Sequence, residues 1–222
     1  FLYATAVWPV FLEQRFDQDT VRSVLEAMAT GQEIWPAHDA ALASRSGSMA
    51  TAFPEFAAWN GATGSRAGGF GYADAAAYPE VEIEELGSTL PMTHEGATSG
   101  FSSLYLHVNV GATPALASID TDPGRNAGAV LRLVNGKAAT GALLPMPATF
   151  DGEALLIVAG VSPQKPDGPF SVTVDVAPPD AGTTASAGTG DAAATGSGAG
   201  GGEGADGEGE EDDGCSCALP GR

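Results

Sequence analysis

The chain has 222 residues, with 28 Asp and Glu against nine Lys and Arg and a formal net charge of −19. That balance, with no basic stretch, argues against nucleic acid as a partner, and no apolar run reaches the roughly 18 residues that span a bilayer. The only two cysteines lie near the C-terminus, so disulfides do not hold the rest together, and the length permits one or two domains.

Residues 1–84 read as helical. Val7, Val10, Phe11 and Leu12 form an apolar stripe, and Pro9 inside it marks either a helix start or a kink. Val21, Val24, Leu25 and Met28 fall at i, i+3, i+4 and i+7, one face of a helix that Asp17 or Asp19 caps and Gly31 ends. A third short helix is expected from Pro36, in the favourable first-turn position. A fourth is expected from Ser48 to Asn60, burying Met49, Phe53, Phe56 and Ala57, with a bend at Pro54. The stretch 61–71 reads as a Gly-rich loop, and Ala73–Ala77 as one further helical turn.

After Glu84 the period changes from 3.6 to 2. Leu104, Leu106, Val108 and Val110 alternate with Tyr105, His107 and Asn109, and Phe170, Val172, Val174 and Val176 alternate with Ser171, Thr173 and Asp175. Such alternation marks half-buried strands of an antiparallel sheet. Asn135-Gly136 separates Val130–Val134 from Ala138–Leu144 and predicts a two-residue hairpin, because both turn residues need positive φ. Leu155–Ala159 is continuously apolar, as a central strand would be, and Leu86–Met92 and Ala115–Asp120 bring the expected count to about seven strands. The fold class expected is α+β: an N-terminal helical lobe over 1–84, an antiparallel β-sandwich over 85–177, and a disordered acidic Gly-rich tail.

Few side chains offer chemistry. His94-Glu95 opens like the zinc motif HExxH, but Thr98 stands where the second histidine is needed and Gly96 disfavours a helix. His107 reads as an outward strand residue and His38 as a helix-surface residue. Asp120-Thr121-Asp122 begins like a calcium loop, yet Gly124 supplies no ligand at the fifth position, and the Asp-Pro-Gly composition suits a tight turn better. Trp8, Trp35 and Trp59 with Phe11, Phe53 and Phe56 read first as core and second as the lining of a groove. No catalytic, cofactor-binding or metal-binding residue is assigned.

Residues 178–214 are almost only Gly, Ala, Ser, Thr, Pro, Asp and Glu, and cannot repay the entropy of ordering. The spacer leads to Gly214-Cys215-Ser216-Cys217, and residues 215–222 read as the start of a sorting signal. Two thiols so placed suit a metal, an interchain disulfide or a processing signal, and the flanking spacer favours the last. This arrangement resembles the myxobacterial C-terminal sorting tail (MYXO-CTERM), in which a spacer and a Cys-x-Cys core precede an apolar span and an Arg cluster. Cys215 and Cys217 are therefore the candidate sorting and processing residues. The resemblance implies partners in a sorting machinery and in a membrane reached through a C-terminal span. Beginning with Phe1 and ending at Arg222, the chain is read as an internal segment of an exported, cell-surface or extracellular protein.

Two upstream segments carry a second resemblance. Tyr3-Ala4-Thr5-Ala6-Val7-Trp8-Pro9-Val10-Phe11-Leu12-Glu13-Gln14-Arg15-Phe16, and Phe53-Pro54-Glu55-Phe56-Ala57-Ala58-Trp59-Asn60 with Thr63-Gly64, are similar to the later part of a family of secreted zinc metallopeptidases of myxobacteria and related bacteria. The resemblance implies a helical remainder of a peptidase catalytic domain followed by a β domain and the sorting tail. It also implies zinc-activated water as the nucleophile and a protein or peptide substrate. The family's HExxH helix and third carboxylate ligand precede this segment, so zinc is expected upstream and none within these residues. The competing reading is a non-enzymatic cell-surface protein whose sandwich is a binding or adhesion module.

Overall fold

The computed structural model describes residues 2–163 and 168–179, so the acidic spacer beyond Pro179 and the thiols Cys215 and Cys217 lie outside the described residues. Four α-helices come first: α1 (Leu2–Arg15), α2 (Gln18–Ala29), α3 (Ile34–Ala43) and α4 (Met49–Gly61). Their ends follow local chemistry. The Asp17 Oδ1 accepts the Thr20 backbone N–H at 2.7 Å, satisfying an otherwise orphan donor at the start of α2. Ser48 and Thr51 exchange side-chain and backbone hydrogen bonds as a capping box at the start of α4. The helices α1 and α4 continue through Pro9 and Pro54, and α3 begins two residues before Pro36.

Nine strands follow: β1 (Glu84–Gly87), β2 (Met92–Thr98), β3 (Ser103–Asn109), β4 (Ala115–Thr121), β5 (Asn126–Val134), β6 (Lys137–Pro145), β7 (Ala148–Phe150), β8 (Glu153–Gly160) and β9 (Gly168–Val176). They form two sheets, ordered β1-β3-β8-β5-β6 and β2-β9-β4-β7. The described pairings are antiparallel except β1 with β3. The chain is thus α+β, with a helical lobe followed by a two-sheet sandwich. The Asn135-Gly136 hairpin joins β5 to β6 with φ of 54° and 73°. The span expected as one strand over Leu86–Met92 is two, β1 and β2, and they belong to different sheets.

Each face of the five-stranded sheet is buried differently. Inward-pointing Leu106, Val108, Val130, Leu156 and Val158 meet Phe150, Phe170, Val172 and Val174 of the facing sheet. On the opposite face Tyr105, Leu131, Leu133, Leu155 and Ile157 share one core with Phe11, Leu12, Phe56, Ala57 and Trp59 of the helices. Burial on both faces explains the unbroken apolar run of β8, the middle strand of its sheet. A small separate cluster, Val24 with Ala37 and Ala41, joins α2 to α3.

Candidate functional site

The helical layer leaves part of its apolar surface open. On the α2 stripe Val24 is buried, but Leu25 is 61% and Met28 39% exposed. Across from them, at the start of α3, stand Ile34 and Trp35, 46% and 38% exposed. These four are among six large apolar residues left exposed over the described residues, and they rim one cavity of about 350 Å³. Together they form an open apolar patch on the helical layer.

The cavity is built from all four helices and one loop residue. From α1 come Trp8, Pro9 and Leu12, and from α4 Met49, Phe53 and Phe56. Phe101, in the loop between β2 and β3, sets its ring at a tilt 4.7 Å from Trp35 and 5.1 Å from Phe53 by centroids. The aromatic set therefore divides. Trp59 belongs to the core, edge-on to Phe11 and Tyr72 at 5.1 Å each, whereas Trp8 and Trp35 line the cavity.

Two ring nitrogens bring polarity to the lining. His38, read from sequence as a surface residue, is buried: its ring lies 5.9 Å from Trp8, and its Nδ1 sits 2.7 Å from the Ile34 carbonyl oxygen. A carbonyl only accepts, so the proton is on Nδ1. The indole Nε1 of Trp8 is buried and meets no hydrogen-bond partner among the described residues. The rest of the lining is apolar, so the cavity suits hydrophobic burial.

The other histidines stand on strands beside β1. His107 Nδ1 lies 2.6 Å from Glu85 Oε2, and its Nε2 lies 2.9 Å from Glu153 Oε1. Burial works against a charge there, but the hydrogen bonds and charges of Glu85 and Glu153 outweigh it and raise the pKa above the ordinary 6.5. His94 stands on β2, 3.3 Å from Glu84, with its ring stacked 6.1 Å from Phe170.

At the Asp120–Asp122 segment the side chain of Asp122 closes a turn. Its Oδ1 accepts the Gly124 N–H at 2.9 Å, its carbonyl accepts the Arg125 N–H at 2.8 Å, and Oδ2 pairs with Arg125 at 3.3 Å. An open cleft of about 480 Å³ lies beside it, lined by Glu95, Asp120 and Asp122 with Phe170. Among the described residues no group of three or more His, Cys, Asp or Glu side chains is placed to hold a metal ion. No helix among them is long and apolar enough to cross a membrane.

No protein-family model matches the chain, and no curated protein matches it. Solved structures do. The PliG protein of Aeromonas hydrophila, a periplasmic lysozyme inhibitor of g-type lysozyme, is 14% identical over 43% of this chain and 98% of that one, with a TM-score of 0.31. PliG of Salmonella Typhimurium is 12% identical over 42% of this chain and 99% of that one, at 0.28. The pre-peptidase C-terminal domain of a Bacillus anthracis collagenase is 18% identical over 44% of this chain and 99% of that one, at 0.31.

Proposed function

We propose that this chain is the non-catalytic C-terminal part of an exported, surface-anchored zinc metallopeptidase. One observation carries the reading. The two segments that resemble the peptidase family are far apart in sequence, yet they pack on each other: Trp8 lies 4.9 Å from Phe56, and Phe11 lies 5.1 Å from Trp59. They form a lobe whose apolar face is left open at Leu25, Met28, Ile34 and Trp35. That open face is where the preceding catalytic part of the same parent chain seats. Zinc belongs to that preceding part, where it supplies an activated water for attack on a peptide carbonyl. The described residues offer no ligand set for it, and no step is assigned to them. Cys215 and Cys217 are assigned to sorting and anchoring.

Two measurements test this. The coding sequence upstream of Phe1 should encode an HExxH helix with a downstream Glu, and an upstream region without one overturns the reading. The purified 222-residue chain should neither hydrolyse casein nor bind zinc tightly. One equivalent of bound zinc, lost in His94→Gln, would also overturn it. The competing reading, a surface binding module, draws on the same open cavity. It is favoured if the upstream region lacks the motif and the chain retains a cell-surface partner that Trp35→Ala releases.

A further inference from the structure

The strand β1 leads from the helical lobe into the sandwich and forms the edge of the five-stranded sheet. It has four residues, its register slips between Glu85 and Gly87, and its one apolar anchor is a half-buried Leu86. So little buried surface holds a strand weakly. Its two carboxylates reach histidines of different sheets. Glu84 stands 3.3 Å from His94 on β2, the edge of the four-stranded sheet. Glu85 stands 2.6 Å from His107 on β3, whose other ring nitrogen is 2.9 Å from Glu153 on β8.

The His107 geometry dictates its protonation. A neutral imidazole carries one N–H, and a carboxylate can only accept. Two carboxylates on the two ring nitrogens therefore require the imidazolium. When the proton leaves, one of the two bonds must go. The Glu85 side chain is 72% exposed and that of Glu153 29%, so Glu85 passes to water at the lower cost.

We propose that β1, the edge strand of its sheet, is a proton-latched strap, fastened to β3 while His107 is protonated and let go when it is not. The charged groups facing the latch are these carboxylates: Glu85 from β1 and Glu153 from β8 at His107, and Glu84 from β1 at His94, whose other ring neighbour is the uncharged Phe170. Arg132 on β5 is engaged by Asp151 at 3.1 Å. The pKa of His107 is higher in the folded chain than its ordinary 6.5. The stabilisation is thus complete below that value and is lost as pH rises through the raised one. Release leaves β3 with an unpaired edge, the kind of surface that accepts another strand.

Hydrogen exchange of the full chain, corrected for intrinsic rates and compared at about pH 5 and about pH 9, tests the latch. Protection of the β1–β3 amides should fall roughly tenfold or more at the higher pH, while the β5–β8 ladder keeps its protection. Glu85→Ala, which removes the side-chain acceptor, should leave β1 open at both values. Equal β1 protection at both values in the natural chain overturns the proposal. So does a pH response that survives in both Glu85→Ala and His107→Gln, since the titrating group would then lie elsewhere.

Discussion

The two faces of the five-stranded sheet are covered by different means. Against the facing sheet, alternation assigns every inward side chain a place, and Leu106, Val108, Val130, Leu156 and Val158 lose all contact with solvent. Against the helices the sheet is equally dry, with Leu131 and Leu155 fully buried, but the helices themselves are not closed. A helix stripe is wide, and α2 spends only part of it on its neighbours. Val24 goes inward while Leu25 and Met28 face out. The sandwich is a closed core, and the helical lobe is a core with one apolar side open.

Substitutions sharpen this contrast. The largest effect is expected from Val172→Asp, which sets an unpaired charge on the sealed inner face and should cost about 4 kcal/mol in a denaturant titration. Thr173→Asp, one residue on and half-buried on the other side of the strand, should cost far less. Next comes Leu155→Ala, at the seam of sheet and helices, with an expected cost of about 3 kcal/mol from lost transfer energy and the cavity left behind. A cost under about 1 kcal/mol would mean that the helical layer yields to fill the space, and the contrast between the faces would run deeper than the packing indicates. Tyr105→Phe is gentler. The Tyr105 hydroxyl donates to the Ala57 carbonyl at 3.0 Å, tying β3 to α4, and its loss should cost about 1 kcal/mol.

Local signals carried much of this fold. The Asp17 cap, the Asn135-Gly136 turn and the apolar run of β8 are each decided by a few neighbouring residues, and the structure places them where the sequence points. Strand β2 escaped because its inward positions are not apolar in the usual way. Gly96 faces in, and a Cβ there would stand 2.6 Å from the ring of Phe170, so the core signal is a missing side chain. His94, beside it, drew attention as half of a metal motif and proves to be a strand residue under Glu84. Tertiary facts were not legible at all. Helical spacing placed Leu25 and Met28 on an apolar face, but periodicity reports a face and not what covers it. Likewise nothing local marks His38 as buried, or β1 as paired in parallel with β3. The thiols Cys215 and Cys217 were legible as a motif, and they lie outside the described residues.

The smallest effect on stability is expected at the open side of the lobe, and it bears most directly on function. Leu25→Gln alters a residue that is 61% exposed, so unfolding free energy should move by no more than about 0.5 kcal/mol. The same change puts an amide at the rim of the apolar cavity, and binding of a hydrophobic fluorescent dye should drop measurably. The two readouts separate two pictures of the lobe. Unchanged stability with weakened dye binding marks an apolar surface that the folded chain keeps open. A loss of about 2 kcal/mol or more would mean that α2 turns Leu25 inward in solution and closes the groove by itself, and the seat proposed above for a catalytic part would then be gone.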